Sequence, residues 1–244
     1  MNEIQVLTGA LELFSTAENW KRYTKARLQR HICGDVLEVG AGIGGTTRLF
    51  FDDRVNRWVC LEPDAPMAGM LSERTVREAW PRKPEIRIGD LSQMDDTEKF
   101  DAILYIDVLE HIEHDADELS RAARHLKADG KLIVLAPAWQ FLFSEFDTAV
   151  GHYRRYNKKR LRAVGPAQLR LAELYYLDAF GLLLSLGNRC VLRHALPTAS
   201  QIRFWDRVIV PCSRLIDPLL AYTIGKTVVA VWENRPLAPV AAFR

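Results

Sequence analysis

Cysteine is scarce in this chain, and the pairings that cysteine chemistry needs are missing. Cys33, Cys60, Cys190 and Cys212 lie far apart, with no C-x-x-C pair and no metal-like spacing. A disulfide framework is not expected, nor is a metal site, and Cys60 reads as a buried free thiol within an apolar run. Long apolar runs are also lacking. The longest, Ala179 to Gly187, covers 9 residues, against the roughly 20 that a membrane span needs. No basic leader precedes an apolar stretch at the start, so no signal peptide is read and a cytoplasmic protein is expected. Neither sign of charge dominates: 33 Lys and Arg face 31 Asp and Glu, a formal net charge of +2. Such a chain has no global field for nucleic acid or an anionic membrane, although contact with a membrane surface stays open. There is no repeat, no low-complexity stretch and no dividing linker.

What is present is alternation. Apolar runs at Asp35–Val39, Arg57–Glu62, Glu85–Asp90, Asp101–Asp107 and Lys131–Pro137 are separated by helical patterns. The last of these patterns is expected to run to Gly130 as its stop. Strands alternating with helices predict a parallel sheet covered on both faces. A chain of 244 residues suits one such domain with insertions. Residues 1–31 read as a helical lid, 32–137 as a cofactor-binding core and 138–177 as a substrate-side region. Residues 178–224 are too long for a plain connection and read as a helical cap inserted before a last strand and tail, 225–244. Asn157 is a natural N-cap for a helix after the fifth strand.

The stretch VLEVGAGIGG, Val36 to Gly45, holds four glycines behind Glu38. A glycine turn after a first strand lets backbone approach a ligand closely. Gly40, Gly42 and Gly45 spell the dinucleotide pattern GxGxxG, while Gly40, Gly42 and Gly44 spell GxGxG, so the loop alone decides nothing. Glu62, ending the second strand, suits any adenosine ribose. A P-loop is excluded because no GK[ST] follows. Glu38, Asp90 and Asp107 put acids near three strand ends. That arrangement suits a cationic cofactor better than an anionic dinucleotide.

With LEVGAGIGG, CLEPD, GDL and DVLEHI in order, residues 23–137 resemble a class I S-adenosylmethionine-dependent methyltransferase. They are most similar to a bacterial group carrying GHYRRY after the fifth strand, here Gly151 to Tyr156. The resemblance implies an α/β, Rossmann-like sheet of seven strands in the order 3-2-1-4-5-7-6, with the last antiparallel. By position it implies that Glu38, Gly40, Ala41, Gly42 and Gly44 hold the methionine end of S-adenosyl-L-methionine, or of the product S-adenosyl-L-homocysteine. It further implies that Glu62 and Pro63 take the ribose, that Asp90 and Leu91 frame the adenine, and that Asp107 stands under the methionine moiety. Tyr23 belongs to the expected cofactor set as well.

Methyl transfer needs donor and acceptor held in line more than it needs a base. His152 is the first candidate for a base and His111 the second, with helix anchoring or packing as the plainer role for each. Trp139, Phe141, Phe143, Tyr153 and Tyr156 offer aromatic walls for an acceptor. Arg154 and Arg155 head a run of six basic residues between His152 and Arg162 and offer a rim for an anionic one. No NPPY-like tetrapeptide and no Pro-Cys on the fourth strand occur, which argues against adenine, glutamine and cytosine methylation. The remaining acceptors are an O or N atom of a small molecule, sugar or lipid-linked biosynthetic intermediate, with no nucleic acid, in a monomer or homodimer. A NAD-dependent oxidoreductase and an inactive S-adenosylmethionine-binding scaffold remain the rival readings.

Overall fold

The computed structural model describes residues 9, 11–191 and 198–235; side chains at 188–191 are left aside. Seven strands form one sheet: β1 (Gly34–Val39), β2 (Val55–Glu62), β3 (Glu85–Ile88), β4 (Phe100–Ile106), β5 (Leu126–Pro137), β6 (Arg170–Leu177) and β7 (Thr227–Glu233). Their order is β3-β2-β1-β4-β5-β7-β6. The first five strands pair in parallel, while β7 runs antiparallel to both β5 and β6. The helices are α1 (Glu18–Leu28), α2 (Thr47–Phe50), α3 (Ala65–Arg77), α4 (Asp115–Arg124), α5 (Glu145–Ala149), α6 (Lys158–Val164), α7 (Ala179–Val191), α8 (Ala199–Phe204) and α9 (Val210–Leu219).

The central strands read as unbroken apolar runs because both of their faces are buried. Leu37, Val59, Ile103 and Val134 pack on one face with Leu119 of α4, Tyr156 and Leu161 of α6. Val36, Trp58, Leu104 and Ile133 pack on the other with Tyr23 and Leu28 of α1 and with Trp205. Asn157 does cap α6, its side chain accepting from the Arg160 N–H at 2.8 Å.

One local expectation fails. The helix before the fifth strand stops at Arg124, and Leu126 already belongs to β5. Pairing jumps from Phe100–Leu126 to Ala102–Lys131, so residues 127–130 bulge out of the ladder. Gly130 is needed there because a Cβ would come within 2.9 Å of the Lys127 carbonyl oxygen. The helix behind the glycine loop is a single turn, α2.

The segment between β6 and β7 is helical, as α7 to α9, with a π-helical stretch at Trp205–Ile209. Buried acids tie it to α1. Asp206 accepts from the Trp20 N–H at 2.9 Å and the Asn19 side-chain amide at 3.2 Å. Asp217 accepts from the Tyr23 hydroxyl at 2.7 Å and the Asp178 N–H at 2.7 Å. Each carboxylate satisfies donors that would otherwise be orphaned.

Candidate active site

The glycine turn rises from β1 and crosses the end of β2, with the Gly40 N–H bonded to the Leu61 carbonyl at 2.8 Å. Gly40, Gly42 and Gly44 have φ of +68°, +53° and +75°, where a side chain would be strained. A Cβ on Gly40 would lie 2.7 Å from Val108, and one on Gly44 would lie 2.8 Å from Trp80. Gly45 has ordinary backbone, and its Cβ would meet only the flexible end of Lys21. The backbone therefore demands the GxGxG reading.

Acids surround this turn. Glu38 is buried beneath it, accepting from Thr47 Oγ1 at 2.5 Å and Trp58 Nε1 at 2.9 Å. Burial outweighs those bonds and pushes its pKa up to about 7. Glu62 accepts from the Gly42 N–H at 2.7 Å and the Asp64 N–H at 3.0 Å, so it braces the loop from β2. Burial raises its pKa too. Ala41 is buried within the turn, and Pro63 is exposed beside Glu62. Gly89, at φ +140°, turns the chain after β3. Asp90 follows, exposed, with its carboxylate on the Ser92 N–H at 2.7 Å and its pKa lowered by the Ser92 hydroxyl and N–H.

Asp107 directly follows β4, in the left-handed region at φ +55°. Its carboxylate makes no hydrogen bond or ion pair with the described residues, and Lys226 is its nearest compensating charge. Desolvation by the surrounding protein raises its pKa, although the residue as a whole is exposed. Lys226, at the start of β7, lies 5.4 Å over the Trp205 ring, and burial lowers its pKa. Trp139 is strained at φ +70°, held by its indole N–H on the Gly225 carbonyl at 2.7 Å and stacked on Tyr176.

His111 and His152 come together edge to face, with ring centroids 4.5 Å apart. His152 Nδ1 sits 2.8 Å from Asp147, which also takes two hydrogen bonds from Arg155, each 2.8 Å. Burial opposes ionisation of Asp147, but the bonds from His152 and Arg155 hold its pKa well below the usual range. Burial, then His152, lowers the His111 pKa to about 4. Both rings adjoin Glu110, which burial and Asp107 keep well above the ordinary carboxylate range.

Several expected contacts are spoken for inside the protein. Tyr23 is buried, and its hydroxyl is committed to Asp217. Leu91 packs into the core, so its side chain cannot frame an adenine. Arg154 is paired with Asp115 at 2.8 Å and Arg155 with Asp147, so neither guanidinium is a rim for an anionic acceptor. Tyr156 is fully buried with its hydroxyl on Asp115 at 2.7 Å, and it walls no pocket. Phe143 is half-buried and Tyr153 is exposed. Glu110 and Lys226 were not read as site residues. The only sequence signal for Glu110 is an acid between apolar Leu109 and Ile112, next to a histidine.

Comparison with known proteins agrees with this geometry. Residues 37–132 match the family described as a methyltransferase domain. The fold is similar to that of the YcgJ protein of Bacillus subtilis, 15% identical over 89% of this chain and 99% of that one, TM-score 0.59. It is similar to N-methyltransferase NodS from Bradyrhizobium japonicum WM9 in complex with S-adenosyl-L-homocysteine, 15% identical over 87% and 84%, TM-score 0.55. It is also similar to coclaurine N-methyltransferase bound to N-methylheliamine and S-adenosyl-L-homocysteine, 14% identical over 88% and 71%, TM-score 0.60. The strand order, the glycine turn and these likenesses give the chain the Rossmann-like fold of methyltransferases, and residues 37–132 match the methyltransferase-domain family.

Proposed function

We propose that this protein transfers a methyl group from S-adenosylmethionine to an O or N atom of a small molecule, sugar or lipid-linked intermediate. The observation that carries the reading is Asp107, a carboxylate without a hydrogen bond among the described residues, directly after β4, the strand paired with β1, from which the glycine turn of GxGxG type rises. A dinucleotide would bring two phosphates to a turn underlain by Glu38 and flanked by Asp107, whereas the ammonium and sulfonium of S-adenosylmethionine are attracted there.

Bound S-adenosylmethionine supplies a methyl already activated on sulfur. The chain's part is to position it. Gly40 to Gly44 receive the amino-acid end, Asp107 takes its ammonium, Glu62 accepts from the ribose hydroxyls and Asp90 from the adenine amino group. Glu62 keeps lone pairs for this after serving two backbone donors. Holding the reactants in line is worth about 7–11 kcal/mol. If the acceptor is a hydroxyl or ammonium, His152 offers Nε2 as base, because its Nδ1–H is given to Asp147.

A lipid-linked acceptor is favoured by the outer surface of the helical insertion. Leu183, Leu215 and Leu219 are 60%, 74% and 80% exposed, with Arg203, Arg207 and Arg214 exposed among them. Apolar side chains edged by guanidinium groups suit an anionic lipid surface. The test is transfer of label from methyl-tritiated S-adenosylmethionine into lipid and water-soluble metabolite fractions. Label in an acceptor matched by equal S-adenosylhomocysteine supports the reading, and label in neither fraction overturns it.

A further inference from the structure

The side chains of Glu110, His111 and His152 form a cluster of which the methyl-transfer reading uses only His152. Glu110 is 1% exposed, and its Oε2 has no hydrogen-bond partner among the described residues. A buried carboxylate oxygen left bare costs several kcal/mol, so such a group implies a ligand. Its Oε1 lies 3.9 Å from His152 Nε2, too far for a hydrogen bond. One ligand atom from each of the three residues lies within 4.8 Å of the other two. Ligands about 2.0–2.2 Å from a common ion stand roughly 3–4 Å apart, a gap that small side-chain rotations close.

We propose that Glu110, His111 and His152 bind a divalent transition-metal ion. Two imidazoles beside one carboxylate favour the series from manganese to zinc over magnesium or calcium, which prefer all-oxygen shells. The surroundings already orient the ligands. Asp147 holds His152 by Nδ1 and is itself clamped by two bonds from Arg155. That leaves the Nε2 lone pair directed away from Asp147, toward Glu110. A carboxylate behind a histidine is the usual second partner of a metal-bound imidazole. The His111 ring packs edge to face against that of His152. The GHYRRY segment thereby gains a purpose: its histidine is a ligand, and its second arginine fixes the carboxylate that aims it.

Three protein ligands leave coordination positions open. Glu110 and His111 follow Asp107 by three and four positions, so an open position would face the acceptor side of the cofactor cleft. Resting on the methyl-transfer reading, the cation would bind an oxygen of the acceptor there, set it before the methyl group and ease loss of its proton, in place of His152 Nε2 acting as base, since the ion takes that lone pair. The binding itself does not depend on that reading.

The experiment is calorimetric titration of chelator-stripped protein with Zn2+ and Mn2+, with bound metal counted by mass spectrometry after dialysis. One ion per chain is expected, undisplaced by a large excess of Mg2+. Glu110→Gln, His111→Ala and His152→Ala should each weaken binding at least tenfold. His31→Gln, at the far end of the sheet beside Glu173, should not, and circular dichroism should show every variant folded. The isosteric Glu110→Gln is the decisive variant should a histidine variant misfold. Less than half an ion per chain, or unchanged affinity in folded Glu110→Gln, overturns the site. S-adenosylhomocysteine is titrated into the same preparation. Binding of it without a metal sinks only this inference, and metal binding without it sinks only the methyl-transfer reading.

Discussion

Gly44 and Gly45 are neighbours with opposite demands. Gly44 sits at φ +75° with Leu71 and Trp80 against the place a Cβ would take, while Gly45 has ordinary backbone and only the flexible end of Lys21 beside it. Gly44→Ala should cost about 2 kcal/mol or more in urea unfolding, and Gly45→Ala less than about 0.5. Equal losses would mean that the turn does not have this shape. Glu38 gives a second residue-scale test, in pH. Its folded pKa of about 7 stands above the ordinary 4.5. The fold therefore holds that proton more tightly than the unfolded chain does, and the site favours folding fully below 4.5. The advantage shrinks as the unfolded chain ionises and is gone once pH passes about 7. Wild type should lose up to about 3 kcal/mol relative to Glu38→Gln across that window. A flat difference would place Glu38 in contact with water.

At the scale of elements, α1 and the helices between β6 and β7 are joined by buried carboxylates. The Tyr23 hydroxyl and the Asp178 and Ala179 N–H groups all converge on Asp217, and Asp206 caps the start of α1. Asp217→Ala would strand three buried donors, each costing about 1–3 kcal/mol. Hydrogen exchange should then speed up in Glu18–Leu28 and Ala179–Val191 together, with the β1–β4 core unaffected. Faster exchange in the insertion alone would contradict the coupling. This partnership was illegible in the sequence, since Tyr23 and Asp217 are nearly two hundred residues apart. The strands were legible because doubly buried strands are plain apolar runs. The bulge at residues 127–130 was not, because Ala128, Asp129 and Gly130 read equally well as the end of a helix. Arg154 and Arg155 looked like solvent or ligand contacts. Their carboxylate partners, Asp115 and Asp147, reveal themselves only when α4 and α5 are packed.

For the whole molecule, the glycine turn and the acids at the strand ends stand out in sequence because each is a local pattern, glycines or an acid at the end of an apolar run. The acceptor side does not, since Glu110 and Lys226 acquire meaning only from what surrounds them. The exposed leucines of α7 and α9 predict sedimentation with vesicles containing about a third anionic lipid, released by salt. Leu215→Ser combined with Leu219→Ser should reduce it severalfold, and unchanged sedimentation would remove the membrane from the account. The central claim concerns the cofactor. Calorimetric titration of the chain with S-adenosylhomocysteine and, separately, with NADH tests it most directly. The account predicts micromolar binding of S-adenosylhomocysteine, at least tenfold weaker in Glu62→Ala, and no measurable heat from NADH. Tighter binding of NADH, or no binding of S-adenosylhomocysteine by the folded protein, would contradict it.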